Sequence, residues 1–265
     1  MHPSDQQTGT VTTLPFVSST LGMRQFPVGT VPSAETGNHV MGAVVVAWLT
    51  QYPLERWGET WASTGSMQVR FRSHLSAPLP LLLDVDHGSA ETKMVVRDEV
   101  GTTFATASAQ APAATLVRDG LRNLQPPMLG MVPATAVDLA DRALAPMIFD
   151  FDADRDLGFV SGIADGRLWS ERGWAHPGFL SAASNAILRR DVQFESPQHW
   201  KNTGFEVKLR RPISSGSIIR FAAHIDRLFD SARYRFAVCA IEAAVDGVPV
   251  ATITNTFAYG LITTD

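Results

Sequence analysis

Two histidines and one carboxylate are the residues in this chain whose types and positions can support chemistry. His39 and His176 each stand directly before a long apolar segment, and Glu171 precedes the second histidine by five residues. An imidazole has an unperturbed pKa near neutrality, so it can hold a water molecule and pass on a proton, and a carboxylate can accept one. Glu171 and His176 are therefore candidates for general acid–base work.

Each of these residues also has a structural interpretation. A histidine at the start of a helix often satisfies backbone groups, and Glu171 has Arg172 beside it as a partner for a surface ion pair. Cys239 is the only cysteine and lies in an apolar segment, which is typical of an inert core thiol. The residue types alone leave these alternatives open.

The chain contains an internal repeat that must position these residues. The segment from Trp61 to Gly65 is echoed by the segment from Trp200 to Gly204, and each Trp follows an apolar segment that a histidine opens. Shortly after each Trp comes a strand-like stretch that ends in arginine. Several echoes in the same order indicate two copies of one module rather than chance.

The predicted fold is α+β, with two fused modules that each wrap a long antiparallel sheet around one buried central helix. The histidine-led segments are apolar nearly all round, which indicates burial rather than a one-sided surface helix. We predict an N-terminal module over residues 1–111, a connector over 112–156 and a C-terminal module over 157–265. Strands are predicted at residues 25–30, 66–72, 79–86, 93–98 and 102–109 in the first copy, and at 157–163, 205–210, 217–226, 233–244 and 249–258 in the second.

This pattern resembles the hotdog fold, and its duplication resembles the double-hotdog proteins. The segment from His176 to Leu180, followed by the one from Trp200 to Val207, is similar to the MaoC-like hydratase/dehydratase branch. The resemblance implies chemistry on acyl thioesters carried by coenzyme A or an acyl carrier protein. In that branch an Asp and a His five residues later hold one water against the double bond of an enoyl thioester.

Carried onto this sequence, the resemblance implies that Glu171 and His176 are the catalytic pair. The segment departs from the family pattern, because Glu replaces Asp and Gly173 stands where the family has Asn. Ala34 takes the position of the acid before His39, so only the C-terminal copy is expected to be active.

Substrate is expected at the tips of the two helices. Unpaired backbone N–H groups at a helix start, with the positive end of the helix dipole, can stabilise an enolate oxygen. Gly178 and Phe179 are the expected substrate-binding residues in the second copy, with His39 and Gly42 in the first.

Three other functions compete with an enoyl-CoA hydratase or dehydratase. An acyl-CoA thioesterase of double-hotdog type is the strongest rival, although the central helices carry few carboxylates. A polyketide-type dehydratase ranks third, because Ser181 or Asn185 stands where its helix Asp belongs. The non-enzymatic alternative is an acyl-thioester binding protein without a working pair.

Composition limits the partners. The formal net charge is −4, from 22 Lys and Arg against 26 Asp and Glu, which lacks the basic excess of a nucleic-acid binder. One cysteine excludes multi-cysteine metal sites, and residues 150–156 lack the glycine and glutamate of a calcium loop. The N-terminus has no secretory pattern and no apolar run spans a bilayer, so we expect a cytoplasmic protein without cofactor or metal, with a homodimer as an open possibility.

Overall fold

Ten segments of the chain are described in the computed structural model. They are residues 5–11, 30–33, 37–40, 42–73, 76–77, 81–112, 130–157, 166–194, 201–231 and 233–262. No helix within these segments has the length and apolar character needed to cross a bilayer.

Two buried helices form the centre of the molecule. Seven of the eight residues of α1 and twelve of the fifteen residues of α6 are buried. Helix α1 has three consecutive valines, which disfavour an isolated helix, so packing rather than intrinsic propensity stabilises it. The helices are α1 Gly42–Leu49, α2 Gln51–Thr64, α3 Ala136–Leu139, α4 Ala153–Asp156, α5 Gly166–Arg172 and α6 Pro177–Asp191.

One ten-stranded antiparallel sheet covers these helices, in the order β1-β6-β7-β8-β4-β12-β15-β14-β13-β10. Two small sheets, β2-β3-β5 and the parallel pair β9-β11, lie apart from it. The strands are β1 Asp5–Val11, β2 Thr30–Ser33, β3 Gly37–Val40, β4 Ser66–Phe71, β5 Ser76–Ala77, β6 Leu81–His87, β7 Glu91–Arg97, β8 Thr103–Gln110, β9 Val132–Pro133, β10 Ala143–Asp150, β11 Val192–Gln193, β12 Lys201–Leu209, β13 Ile218–Ser231, β14 Tyr234–Val245 and β15 Val248–Leu261.

The large sheet has an internal two-fold pattern. From the centre outwards, β4, β8, β7, β6 and β1 match β12, β15, β14, β13 and β10 in turn. This arrangement confirms the duplicated modules and their edge-to-edge joining. The eight strands predicted from 66–109 and 205–258 are all present, each within a few residues of its expected bounds.

One strand of the large sheet lies within the predicted connector. Strand β10, whose residues fall in the predicted connector 112–156, pairs with β13 as the counterpart of β1. Most of the strands expected at 25–30 and 157–163, and Trp200 of the repeat, lie outside the described residues. The module boundaries therefore stay predictions, with β10 belonging to the second half of the sheet.

The β4–β12 ladder joins the two halves. Residue pairs from Gly204 opposite Arg70 to Lys208 opposite Ser66 hold the two strands together. Alternate side chains of both strands, such as Val69 and Phe205, are buried. Alternation of this kind places one face of a sheet against a core.

Truncation at this ladder should destabilise the whole molecule. We predict that Phe205→Ala lowers the free energy of unfolding by about 3–5 kcal/mol, because a fully buried aromatic side chain leaves a cavity. Chemical denaturation monitored by circular dichroism measures the change. Val100→Ala, at a side chain that is 87% exposed, is the control and should stay within about 0.5 kcal/mol of the wild type. If Phe205→Ala changes the free energy of unfolding as little as the control does, packing at the ladder does not stabilise the core.

Candidate functional site

His176 is the residue immediately before α6, and both of its ring nitrogens have partners. Its Nδ1 accepts a hydrogen bond from the Gly178 N–H at 2.9 Å, which caps the helix. Its Nε2 lies 3.0 Å from the Thr50 hydroxyl, and that hydroxyl donates to the Ala47 carbonyl oxygen at 2.6 Å. Nε2–H is therefore the donor to Thr50. The ring is fully buried and packs edge-on against Trp169.

The tip of α6 has no free donor in its first turn. Pro177 has no N–H, Gly178 donates to the His176 ring, and Phe179 and Leu180 both donate to the His176 carbonyl oxygen at 2.9 and 3.3 Å. An enolate oxygen at this tip would have to displace these bonds. The Gly178 N–H is therefore already engaged by the chain itself, and its substrate-binding role stays a prediction.

Glu171 occupies a different environment from His176. Its carboxylate accepts a hydrogen bond from Arg167 Nε at 2.6 Å, one turn earlier on α5, and the side chain is 60% exposed. Among the described residues no hydrogen bond joins Glu171 to His176. Each of the two side chains thus has its own partner in the structure, and their joint catalytic role stays a prediction.

The other expected substrate-binding residues are also placed by packing. Phe179 is fully buried and contacts the rings of Phe149 and Phe151, with centroids 5.0 and 5.1 Å away, so its side chain lies in the core and its substrate-binding role stays a prediction. A Cβ added to Gly42 would lie 2.9 Å from Phe71 Cζ, so glycine permits α1 to approach that ring closely. His39 has its backbone in β3, and its side chain falls outside the described part of the chain.

A cleft opens where the β4–β12 ladder ends, and we call it the seam cleft. Its volume is about 360 Å³ and both modules line it. Three of its lining side chains are cations, and no carboxylate is among the described residues that line it. The lining residues are Phe71, Arg72, Ser73, Lys201, Asn202, Thr203, Arg233, Tyr234, Phe236 and Ala258.

The positive charge of the seam cleft acts on Tyr234. The Lys201 ammonium donates a hydrogen bond to the Tyr234 phenol oxygen at 3.1 Å and, with Arg233, holds the pKa of that phenol below its usual value. Burial raises the pKa of Tyr52 to about 12 and raises that of Tyr259 as well. Tyr234 is therefore the most acidic of the three tyrosines in the chain.

A polar cluster leads from the seam cleft into the core, and we call it the asparagine cluster. Asn202 and Asn255 both donate to the Asn185 carboxamide oxygen, at 3.1 and 2.8 Å, and Asn255 also donates to the Ser184 hydroxyl at 3.0 Å. Asn255 is fully buried, and its own oxygen has no hydrogen-bond partner among the described residues; the buried Ser181 hydroxyl has none either. A buried unsatisfied polar atom costs about 1–3 kcal/mol, so such atoms mark a place where a polar group of a ligand fits.

Comparison with known proteins identifies the architecture. No model of a known protein family matches the sequence, and no curated protein matches it. Among solved structures, a MaoC domain protein from Chloroflexus aurantiacus is similar with a TM-score of 0.58 at 9% identity, over 97% of this chain and 95% of the other. A conserved hypothetical protein from Mycobacterium tuberculosis with a double hotdog fold is similar with a TM-score of 0.53 at 11% identity, over 97% and 96%.

The chain has a double-hotdog fold. At such low identity the likeness establishes the fold alone, and it confirms the resemblance drawn from the repeat. Within the described residues of this double-hotdog chain, no group of three His, Cys, Asp or Glu side chains is placed to hold a metal ion.

The seam cleft was not predicted from the sequence. Arg72, Lys201 and Arg233 are far apart along the chain, and only the sheet order brings them together. A weak signal exists in the repeat, since Arg72 ends the strand-like stretch of the first copy and Lys201 follows the Trp of the second. Nothing in the sequence distinguishes these cations from ordinary surface charge.

Removal of the His176 ring should cost stability. His176→Ala leaves the Gly178 N–H and Thr50 without their partner, so we predict a loss of about 2–4 kcal/mol in the free energy of unfolding. His176→Asn, whose side-chain oxygen can still cap α6, should recover about 1 kcal/mol of that loss.

Denaturation curves of both variants, with Glu171→Gln as the exposed control, measure these changes. Glu171→Gln should shift the free energy of unfolding by less than about 1 kcal/mol, because exposed ion pairs contribute little. Equal stability of His176→Ala and the wild type would contradict the structural role of the imidazole.

The charge in the seam cleft can be measured through Tyr234. Lys201→Gln removes the hydrogen-bonded ammonium, so the pKa of Tyr234 should rise toward its usual value, as followed by phenolate absorbance. Lys208→Gln is the matched control, because Lys208 lies on the same strand but pairs with Glu206. If the lowest tyrosine pKa is the same in Lys201→Gln as in the wild type, Lys201 does not act on the Tyr234 phenol.

Proposed function

We propose that this double-hotdog chain binds an acyl thioester in the seam cleft and holds it without acid–base catalysis by Glu171 and His176. One observation carries the proposal: a cleft lined by three cations opens at the module junction, and the asparagine cluster lies directly behind it. The fold is one on which acyl-thioester chemistry is expected from the family resemblance.

The walls of the seam cleft suit the two ends of such a ligand. Phe71, Phe236 and Ala258 present apolar surface, while Arg72 and Arg233 supply positive charge. A thioester carried on a phosphopantetheine arm combines an apolar acyl group with at least one phosphate, and guanidinium groups bind phosphate in a two-pronged geometry.

The asparagine cluster suits the middle of the ligand. Carboxamide and hydroxyl groups do not titrate near neutral pH, so they can orient a thioester or amide but cannot exchange protons with it. Asn202 lines the cleft and is hydrogen-bonded to Asn185, which connects it to the unpartnered oxygen of Asn255. This arrangement supports binding more directly than it supports proton transfer.

Hydration of an enoyl thioester, the expectation for a MaoC-like enzyme, needs a base and a donor at one water molecule. His176 is buried with both ring nitrogens engaged, and Glu171 is exposed and paired with Arg167. Hydrolysis needs a carboxylate or an activated water at the thioester, and no described residue lining the seam cleft is a carboxylate. Hydro-lyase and thioesterase activity are therefore the alternatives that the experiment must exclude.

Titration calorimetry with crotonyl-CoA and butyryl-CoA tests the proposal. The full-length wild type should bind both, while the enoyl absorbance of crotonyl-CoA and the free-thiol content of the mixture stay constant. Asn202→Ala should weaken binding about three- to tenfold, the size expected for one hydrogen bond.

Thr203→Ala is the matched control, because Thr203 lines the same cleft but donates its hydroxyl to the Thr256 carbonyl oxygen. Its affinity should equal that of the wild type. Absence of binding would refute the proposal. Turnover of crotonyl-CoA by the wild type, seen as loss of the enoyl absorbance, would instead establish the hydro-lyase if its rate is at least a hundredfold lower in both His176→Asn and Glu171→Gln. Release of free thiol would establish the thioesterase.

A further inference from the structure

Three cations of the seam cleft have no carboxylate partner among the described residues: Arg72, Lys201 and Arg233. Several other arginines are held by carboxylates: Arg97 by Asp84, Arg155 by Asp156, Arg167 by Glu171, Arg172 by Glu59 and Arg190 by Asp191. In a chain of net charge −4, three converging and unpaired cations are a concentrated positive site.

The three cations belong to three separate strand ends. Arg72 follows β4, Lys201 begins β12, and Arg233 lies in the turn before β14. The sheet order places β4, β12, β15 and β14 side by side, so that these ends border one opening. Two of them contact the ring of Tyr234, with Lys201 Nζ 5.0 Å and the Arg233 guanidinium carbon 5.4 Å from the ring centroid. Lys201 and Arg233 therefore lie near the same aromatic side chain of the cleft.

An aromatic surface continues from this opening. Phe236 lines the seam cleft and stacks on Phe229 with centroids 5.1 Å apart and planes 15° apart, and the Arg227 guanidinium lies 5.4 Å from the Phe229 ring. Phe236 and Phe229 are only partly buried. Aromatic and guanidinium groups next to phosphate-binding cations are the combination that binds the flat base and the phosphates of a nucleotide.

Charge counting distinguishes between the two kinds of carrier. The phosphopantetheine arm of a carrier protein has a single phosphodiester with one negative charge, whereas coenzyme A has three phosphate groups, two in a diphosphate and one on the ribose. Three unpaired cations exceed what one phosphodiester needs, and they match a ligand with several phosphate groups. A volume of about 360 Å³ is at the lower end of the range for small-molecule clefts, which suits part of such a ligand.

We infer that Arg72, Lys201 and Arg233 form a binding site for the phosphorylated nucleotide of the thioester carrier, so that the ligand is a nucleotide thioester and not an acylated carrier protein. This inference rests on the proposed function, which leaves the thioester carrier open, and it names that carrier. The nucleotide half of the ligand, adenosine 3′,5′-bisphosphate, should therefore bind by itself.

Titration calorimetry of the full chain with adenosine 3′,5′-bisphosphate is the test. The wild type should bind the bisphosphate, and the affinity should fall as salt is raised because the contacts are ionic. Lys201→Gln and Arg233→Gln should each weaken binding about tenfold. Arg220→Gln should leave it unchanged, because Arg220 is exposed on the same sheet but lies at the opposite end of β13 from the cleft. All three substitutions change exposed or half-exposed side chains, and equal melting temperatures will show that the variants are folded.

A second comparison separates failure of this inference from failure of the proposed function. Butyryl-CoA should bind at least tenfold more tightly than butyryl-pantetheine, which lacks the nucleotide. Equal affinity for both, with no binding of the bisphosphate, would overturn the nucleotide site and leave acyl-thioester binding intact. Binding of the bisphosphate with no gain from an acyl group would support the nucleotide site and refute the proposed function. Binding of a butyrylated carrier protein in place of both small ligands would overturn the inference.

Discussion

Two helices that are buried nearly all round impose the central constraint on this molecule. Helices α1 and α6 must each be covered by other parts of the chain on almost every side. A five-stranded half sheet covers one side of a helix, and the other helix covers part of the remainder. The β4–β12 ladder meets the constraint by making both half sheets continuous around the helix pair.

The same constraint explains the contacts that His176 makes. The N-terminal end of α6 is buried, and a buried helix end needs partners for its backbone N–H groups. The imidazole supplies an acceptor to Gly178 and uses its other nitrogen to reach Thr50, which lies between α1 and α2. The ring thus links the second module to the first.

The elements that could be predicted from the sequence are those with a strong local signal. Alternating apolar residues and turn glycines determine strands such as β8 and β15, and the duplicated order of elements was sufficient to predict two modules. Strand β10 escaped prediction because Pro146 interrupts it and its ladder shifts register beside that proline. Its place is determined by pairing with β13 and not by its own pattern.

The functional residues were harder to predict, because the same residue types serve structure and chemistry. A histidine before Pro-Gly is equally consistent with a helix cap and with a catalytic base, and the sequence does not reveal the hydrogen bonds that its two nitrogens make. The seam cleft combines residues from both modules, such as Arg72 and Asn202, whose proximity is a property of the sheet order. The asparagine cluster combines residues of α6, β12 and β15 in the second module. No spacing along the chain encodes that proximity.

The location of a bound thioester tests the account most directly. A crystal structure of the chain with butyryl-CoA should show phosphate oxygens within hydrogen-bond distance of Lys201 and Arg233 and the pantetheine arm beside Asn202, with the His176 Nδ1 bond to Gly178 intact. A thioester lodged between Glu171 and His176, with the Gly178 N–H turned toward its carbonyl oxygen, would contradict the account.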